Sequence, residues 1–429
     1  MARARRASLK KMVDRFALLH PINVALSTGF GLFQLVVFAR VLDVGRYAEI
    51  IFITTLGMFL LPLNVAAGRA NYIALREGIV RNRDASNWPQ VTFLLALQFI
   101  LITLLSIVLP LFLPDQAVGK AMENMIYLNT CLMTNYLLND VQVTAWAVEL
   151  DTRFVYVLVG RSLAQYLALA MLWATHSFID FVLVSLFINF LSLGLLLLFF
   201  RRHALLKIRQ AQGALSMDLV LVHGKRLVSS LLSSVSEMTV LTLPYALLTV
   251  VFGIGPALIT YDVIMKFLRV VTAIGRMLSE VALPSITRRL HTDRPSEAWR
   301  IYLVVLGLCF GGALVLAVAV LLFDRPLFRL LLGPSDVVPD GAGVAAAVII
   351  LTGALFQPAL YVVSVDNKRE LILRFTGIAL VGFGCFAAVA FFRLPLLETI
   401  WAYSAYFAVV TAALLLLSHR AMFKHAAAR

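Results

Sequence analysis

Charge is scarce in this chain. Asp, Glu, Lys and Arg make up 14% of its 429 residues, while 61% are hydrophobic. Soluble domains carry about 25% charged residues, so a soluble fold is excluded. Cysteine is nearly absent: Cys131, Cys309 and Cys385 all fall in apolar stretches. They make neither a disulfide framework nor a metal-ligand spacing, and read as small buried apolar side chains. The chain has no G-x-x-x-x-G-K-[ST] loop, which excludes ATP hydrolysis by that route. It also lacks G-x-S-x-G, H-E-x-x-H and any Cys/His cluster. Long polar segments are missing too. The longest, about 69–90 and 201–225, are too short to fold alone or to house a glycosyltransferase or polymerase site. No enzyme, catalytic residue, metal or cofactor is expected. A membrane-embedded enzyme using charges within its spans is the one enzymatic option that these absences leave.

What is present is apolar sequence in runs of bilayer length, since about 20 residues span a membrane. Candidate spans lie near 16–39, 47–68, 91–113, 122–147, 154–175, 178–200, 226–251, 257–287, 299–323, 341–366, 371–392 and 397–418. The expected fold class is therefore an all-α polytopic membrane protein with about 12 transmembrane helices. The basic start MARARRASLKK runs into a full span with no small-residue cleavage site, so it does not read as a cleavable signal. Of 37 Lys and Arg, six fall on one side of the spans: Arg40, Arg46, Lys120, Arg325, Arg329 and Arg393. Five fall within spans: Arg161, Lys266, Arg269, Arg276 and Arg374. The rest gather on the other side, which predicts that both termini are cytoplasmic. The net charge of +14 thus follows membrane topology, and nucleic acid is not an expected partner.

The segment 201–225, RRHALLKIRQAQGALSMDLVLVHGKR with Arg226, reads as an interfacial helix or a basic linker. It divides the chain into two sets of six spans, 1–210 and 211–429. A faint repeat relates the sets. LDVGRYAEI (Leu42–Ile50) and FGIGPALIT (Phe252–Thr260) are each a glycine turn between two spans, 210 residues apart. Paired helical bundles are common in transporters.

The eighth span carries Asp262, Lys266, Arg269, Arg276 and Glu280. Their offsets from Asp262 place them in a sector of roughly 80° on a helix. A charge facing lipid costs at least ~2.5–3.5 kcal/mol, so the stripe should face protein or a water-filled cavity. Such a polar path through the bilayer points to transport. A helix over 257–290 is longer than the hydrocarbon core, which brings Arg276 and Glu280 towards the headgroups. The seventh span carries Arg226, Ser230, Ser233 and Glu237 on one face, and Glu237 is a candidate partner for Lys266 or Arg269. The first span shows His20, Asn23, Ser27 and Gln34; the tenth shows Gln357, Tyr361, Ser364 and Lys368, with Pro358 as a possible bend. Asn135, Asn139, Asp140 and Gln142 make the fourth span polar, which suits hydrogen bonding between helices.

Several stretches resemble the polysaccharide flippases of the multidrug/oligosaccharidyl-lipid/polysaccharide exporter superfamily. FGLFQLVVFARVLDVGRYAEIIFITTL (Phe30–Leu56) is similar to the family's opening. GRANYIALR (Gly68–Arg76), VALPSITRR (Val281–Arg289) and FRLLLGP (Phe328–Pro334) follow in the family's order. The chain departs from some lipid-flipping relatives in having no Arg in the middle of the first span. The resemblance implies two six-helix bundles around a cationic central cavity that opens alternately to each side. It implies a lipid-linked oligosaccharide cargo of undecaprenyl pyrophosphate type in a bacterial inner membrane. Membrane lipids, a polysaccharide polymerase and glycosyltransferases would be its partners. Arg and Lys suit the anionic headgroup, which makes Lys266, Arg269, Arg276 and Arg226 candidate substrate residues. Asn23, Gln34, Gln357 and Tyr361 would serve the sugar hydroxyls. Asp262, Glu237 and Glu280 are the candidate ion-coupling residues. The alternative is an ion-coupled small-molecule or drug antiporter. A cation carrier should have an acidic cavity, whereas the eighth-span stripe holds three bases and two acids.

Overall fold

Glycine and proline mark where the long apolar runs must stop. The computed structural model describes residues 2–59, 119–130, 151–200, 231–291, 294–333, 338–365, 369–392 and 394–427, with positions 104 and 228. Among these residues every regular element is a helix. In chain order they are α1 (Ala2–Val41), α2 (Val44–Met58), α3 (Asp151–Thr175), α4 (Phe178–Phe200), α5 (Leu243–Phe252), α6 (Pro256–His291), α7 (Pro295–Leu322), α8 (Asp324–Leu332), α9 (Ala342–Val365), α10 (Arg369–Phe391) and α11 (Leu396–Ala427). The helical stretches 119–130 and 231–241 complete the set.

Eight described helices are long and apolar enough to cross a membrane. Their outer faces carry what a soluble protein would bury: Val315 is 72% exposed and Val381 70%. Such faces suit a lipid solvent. Helix α6 has too many charges to qualify by composition, yet it packs against α5, α7, α9 and α11. It crosses with them, and its 36 residues exceed the ~30 Å core. The expected third span, most of the fourth, the interfacial segment 201–225 and the boundary at 210 lie outside the described residues, as does GRANYIALR.

Both glycine turns read from the sequence join helices. Between α1 and α2, Asp43 accepts the backbone N–H of Arg46 at 2.8 Å, an N-cap bond. Between α5 and α6, Gly253 has φ of 77°, a conformation that favours glycine, and its N–H closes α5 on Thr249 O at 2.9 Å. Pro256 then opens α6.

The short helix α8 lies between two of the spans read from the sequence. Its nine residues bury Phe328, Leu331 and Leu332 and leave Asp324 and Arg329 in its end turns. The Asp324 carboxyl is pushed up from its usual range by burial and then by Asp340; Arg325 and the Gly343 N–H pull it back.

By contacts the chain forms two compact units, Met1–Phe30 with Leu56–Ser234, and Gly31–Thr55 with Val235–Arg429. The first holds the start of α1, then 119–130, α3 and α4. In it a polar seam joins α1, α3 and α4. Tyr166 donates to Leu26 O at 2.9 Å, and Arg161 Nε donates to Asn189 Oδ1 at 2.7 Å. The second unit holds the end of α1, α2, and everything from 235 onwards. Its core is aromatic: Tyr245, Tyr261, Tyr403, Phe386 and Phe407 make successive ring contacts.

Candidate functional site

The site starts from a proline. Pro244 has no N–H to offer the carbonyl of Val240, so the helix entering at 231 breaks at Thr242 and α5 begins afresh. Tyr403 of α11 satisfies the freed carbonyl, donating to Val240 O at 3.2 Å. Tyr245 follows directly and is fully buried, its ring 4.8 Å edge-on from that of Tyr261.

Tyr245 faces the stripe of α6. Its hydroxyl donates to Asp262 Oδ1 at 2.9 Å and accepts from Arg269 Nη2 at 3.2 Å. Asp262 Oδ2 lies 3.0 Å from Lys266 Nζ, one helical turn on, with side chains 6% and 12% exposed. Each cation also meets an aromatic face. Arg269 Cζ lies 5.8 Å from the centre of the Tyr245 ring, and Lys266 Nζ lies 5.8 Å from that of Tyr47 on α2. Thus the structure joins three of the predicted residues, Asp262, Lys266 and Arg269, through two tyrosines that the stripe pattern does not reveal. Tyr245 could have been noticed as the residue after a proline inside an apolar run. Nothing in the sequence singles out Tyr47.

Glu237 pairs elsewhere than expected. It accepts from Arg276 Nη2 at 3.3 Å, in surroundings where the arginine side chain is 54% exposed. Lys266 already has Asp262 on its own helix, so no distant carboxylate is required there. One helix therefore carries two charge groups, a buried inner one and an open outer one. Ten residues separate Lys266 from Arg276, about 15 Å along the axis.

The other predicted residues have surroundings of their own. Gln357 is buried, its Oε1 has no hydrogen-bond partner, and its Cβ lies against Gly275 of α6. Tyr361, one turn on, lines a small cavity with Ser279, Tyr302 and Pro358. Gln34 is half-buried on the second unit's part of α1. Asn23 is in the first unit, where its Oδ1 accepts from Ser162 Oγ at 3.3 Å. Arg161 is a further base within a span, which the sequence reading left without a role; Gln165, four residues on, also donates to Asn189 Oδ1, at 3.5 Å. Arg226 and the side chains of Glu280 and His20 lie outside the described residues. Among the described residues no three His, Cys, Asp or Glu gather to hold a metal ion.

Buried and paired charges of this kind are costly in a membrane and mark functional paths there. No protein-family model matches the chain, and no curated protein matches it by sequence. Solved structures do match. A Vibrio cholerae MATE transporter, VcmN, in its bent form aligns at 16% identity over 98% of each chain, with a TM-score of 0.62. An outward-facing multidrug resistance MATE family transporter of the MOP superfamily aligns at 15% identity over 98% of this chain and 97% of its own, with a TM-score of 0.66. A MOP superfamily transporter from Pyrococcus furiosus, whose reverse polarity of binding pocket suggests a different function, aligns at 16% identity over 97% and 96%, with a TM-score of 0.64. The chain is a multi-pass membrane protein with the fold of MOP-superfamily transporters, and the expected all-α polytopic class is the one found.

Proposed function

We propose that this chain is a MOP-superfamily transporter whose cargo is an anionic lipid-linked oligosaccharide, flipped across a bacterial cytoplasmic membrane for polysaccharide biosynthesis. Carriage by alternating access needs no ATP site. The carrying observation is the sign of the buried charge on α6. In the inner group Lys266 and Arg269 outnumber Asp262. Guanidinium and ammonium groups at low dielectric bind a pyrophosphate strongly. The lipid tail stays in the bilayer, so a path for the headgroup is enough.

A second reading is ion-coupled antiport of a small molecule or drug. The fold neighbours taken alone favour it, since they include multidrug MATE transporters. Asp262 and Glu237 would then carry the coupling ion.

Reconstituted vesicles separate the two. The first reading expects flipping of an undecaprenyl pyrophosphoryl oligosaccharide that Arg269→Ala abolishes with folded protein still in the membrane. Arg269→Lys should recover part, because lysine keeps the charge and loses the two-pronged geometry. Normal flipping by Arg269→Ala at wild-type protein levels would overturn the role of the buried charge, and gradient-driven exchange of organic cations with no flipping would promote antiport. The cytoplasmic placement of both termini is checked by reporter fusions, with Arg294 inside and Arg329 outside.

A further inference from the structure

The start of α7 and the end of α11 meet in a cluster of rings. Trp299 packs edge-on against His419 at 5.0 Å, with Tyr302 at 5.3 Å and Phe423 at 5.9 Å. The Tyr302 hydroxyl and Ser418 Oγ share a buried hydrogen bond of 3.0 Å beside it. Helix α9 packs on both helices, so the groove between them is covered on that side. Trp299 keeps part of its ring open, as a tryptophan at the boundary between lipid and water does.

Two arginines stand beside this cluster. Because the start of one helix meets the end of the other, the pair runs antiparallel. The residue after a contact residue then turns to the same side on both helices. Arg300 follows Trp299 and Arg420 follows His419, so both flank one groove, and both are exposed. Neither makes an ion pair among the described residues. The only carboxylate of α7, Glu297, is already held by Arg289 at 3.2 Å and Arg294 at 3.4 Å. That of α11, Glu398, lies in the first turn, at the opposite end of the helix. Deeper in the span the same faces turn apolar and stay open. Val304 and Leu308 lie one and two turns from Arg300, and Leu416 lies one turn from Arg420.

We infer that this groove holds an anionic glycerophospholipid, with its phosphodiester between Arg300 and Arg420 and an acyl chain along Val304, Leu308 and Leu416. Guanidinium groups bind phosphate oxygens through paired hydrogen bonds. Basic groups at the membrane surface favour anionic lipid. A zwitterionic lipid brings its own ammonium to the same place and forfeits the preference. The bound lipid ties the start of α7 to the end of α11 and is not carried. The inference is therefore independent of what the inner charge group of α6 transports.

The test is fluorescence quenching of the full-length protein in phosphatidylcholine nanodiscs. Either phosphatidylglycerol or phosphatidylcholine with a brominated acyl chain is added in rising fraction. The chain has five tryptophans, so the Trp299 signal is the difference between wild type and Trp299→Phe. Brominated phosphatidylglycerol should quench that signal with at least ~5-fold the relative affinity of brominated phosphatidylcholine, which is what one basic residue gives at an anionic surface. Arg300→Gln with Arg420→Gln should bring the two lipids to parity. Both side chains are exposed, so circular dichroism should show the fold intact. Arg300→Lys with Arg420→Lys should keep a preference, because the charge remains. Parity in wild type, or a preference that survives in the double Gln variant, overturns the lipid site. Release of the phosphatidylglycerol by an equimolar isoprenyl pyrophosphoryl sugar would make the groove a station for cargo and also overturn a resident lipid.

Discussion

Helix α6 carries two charge groups of like composition and unlike surroundings. The inner one sets Asp262 against Lys266 with side chains 6% and 12% exposed. The outer one sets Glu237 against Arg276 with side chains 26% and 54% exposed. The outer pair keeps much of its surface open, and an exposed pair is worth ~0–1 kcal/mol. The inner pair has lost most of its water, so each charge depends on the other, and removing one costs about 3–5 kcal/mol. Burial, not the identity of the residues, decides which group is rigid and which is replaceable. A cation that must hold a headgroup firmly belongs to the first, and a cation that merely attracts it belongs to the second.

The largest contrast should appear in transport. Arg269→Ala is expected to reduce flipping to background, whereas Arg276→Ala should slow it several-fold. Arg269 is held by Tyr245 on two counts, hydroxyl and ring, so it arrives pre-oriented. Arg276 keeps more than half its side chain in the open. Initial flipping rates at matched protein levels measure both. Equal losses would mean that burial does not rank the two groups.

Stability should rank them the same way. Lys266→Ala strands the Asp262 carboxylate and should cost about 3–5 kcal/mol at neutral pH. Arg276→Ala should change unfolding by less than ~1 kcal/mol. Denaturant unfolding in detergent compares them, with Lys266→Met as the arm that keeps the side chain's length and loses its charge. Full stability in Lys266→Met would show that the ammonium matters for packing rather than charge.

The two groups were unequally legible in the sequence. Offsets of 4 and 7 put Asp262, Lys266 and Arg269 on one face, and the i to i+4 pair is what the helix makes of that spacing. The relay through Tyr245 was not legible, because it depends on where the chain resumes after Pro244 and on a helix 17 residues away in sequence folding back on it. The partner of Glu237 was misread for a related reason. Facing stripes were recognised, but the register between two helices is set by the turn at Gly253, and that register delivers Glu237 to Arg276. Helix α8 escaped because nine residues are too few to show a period against the apolar runs on either side. Spans such as Phe178–Phe200, by contrast, were readable to the residue, since length and hydropathy alone define them.

The third contrast tests how the inner group is positioned. Tyr403→Phe removes the hydroxyl that satisfies Val240 O at the break and keeps the ring stack with Phe407. A buried carbonyl left unsatisfied costs about 1–3 kcal/mol. The variant should lose that much stability and part of its transport, because Tyr245 hangs from the same break. Unfolding midpoint and flipping rate should fall together. A loss of stability with full transport would separate the break from the site.

The smallest effect is expected where charge can be exchanged. In the outer group the pair is exposed, so Arg276→Glu with Glu237→Arg should restore the 3.3 Å contact in reverse and leave stability within ~0.5 kcal/mol of wild type. Each single change places like charges together and should cost ~0.5–1 kcal/mol, reduced by salt because solvent reaches both side chains. The corresponding swap inside, Asp262→Lys with Lys266→Asp, preserves the pair on paper but moves the carboxylate away from the Tyr245 hydroxyl that donates to it. It should therefore fail to recover stability, although the count of charges is unchanged. Salt titrations of unfolding on both double variants measure the difference. If the inner swap is tolerated as well as the outer one, the tyrosine relay adds nothing to the ion pair, and the two groups differ in exposure alone.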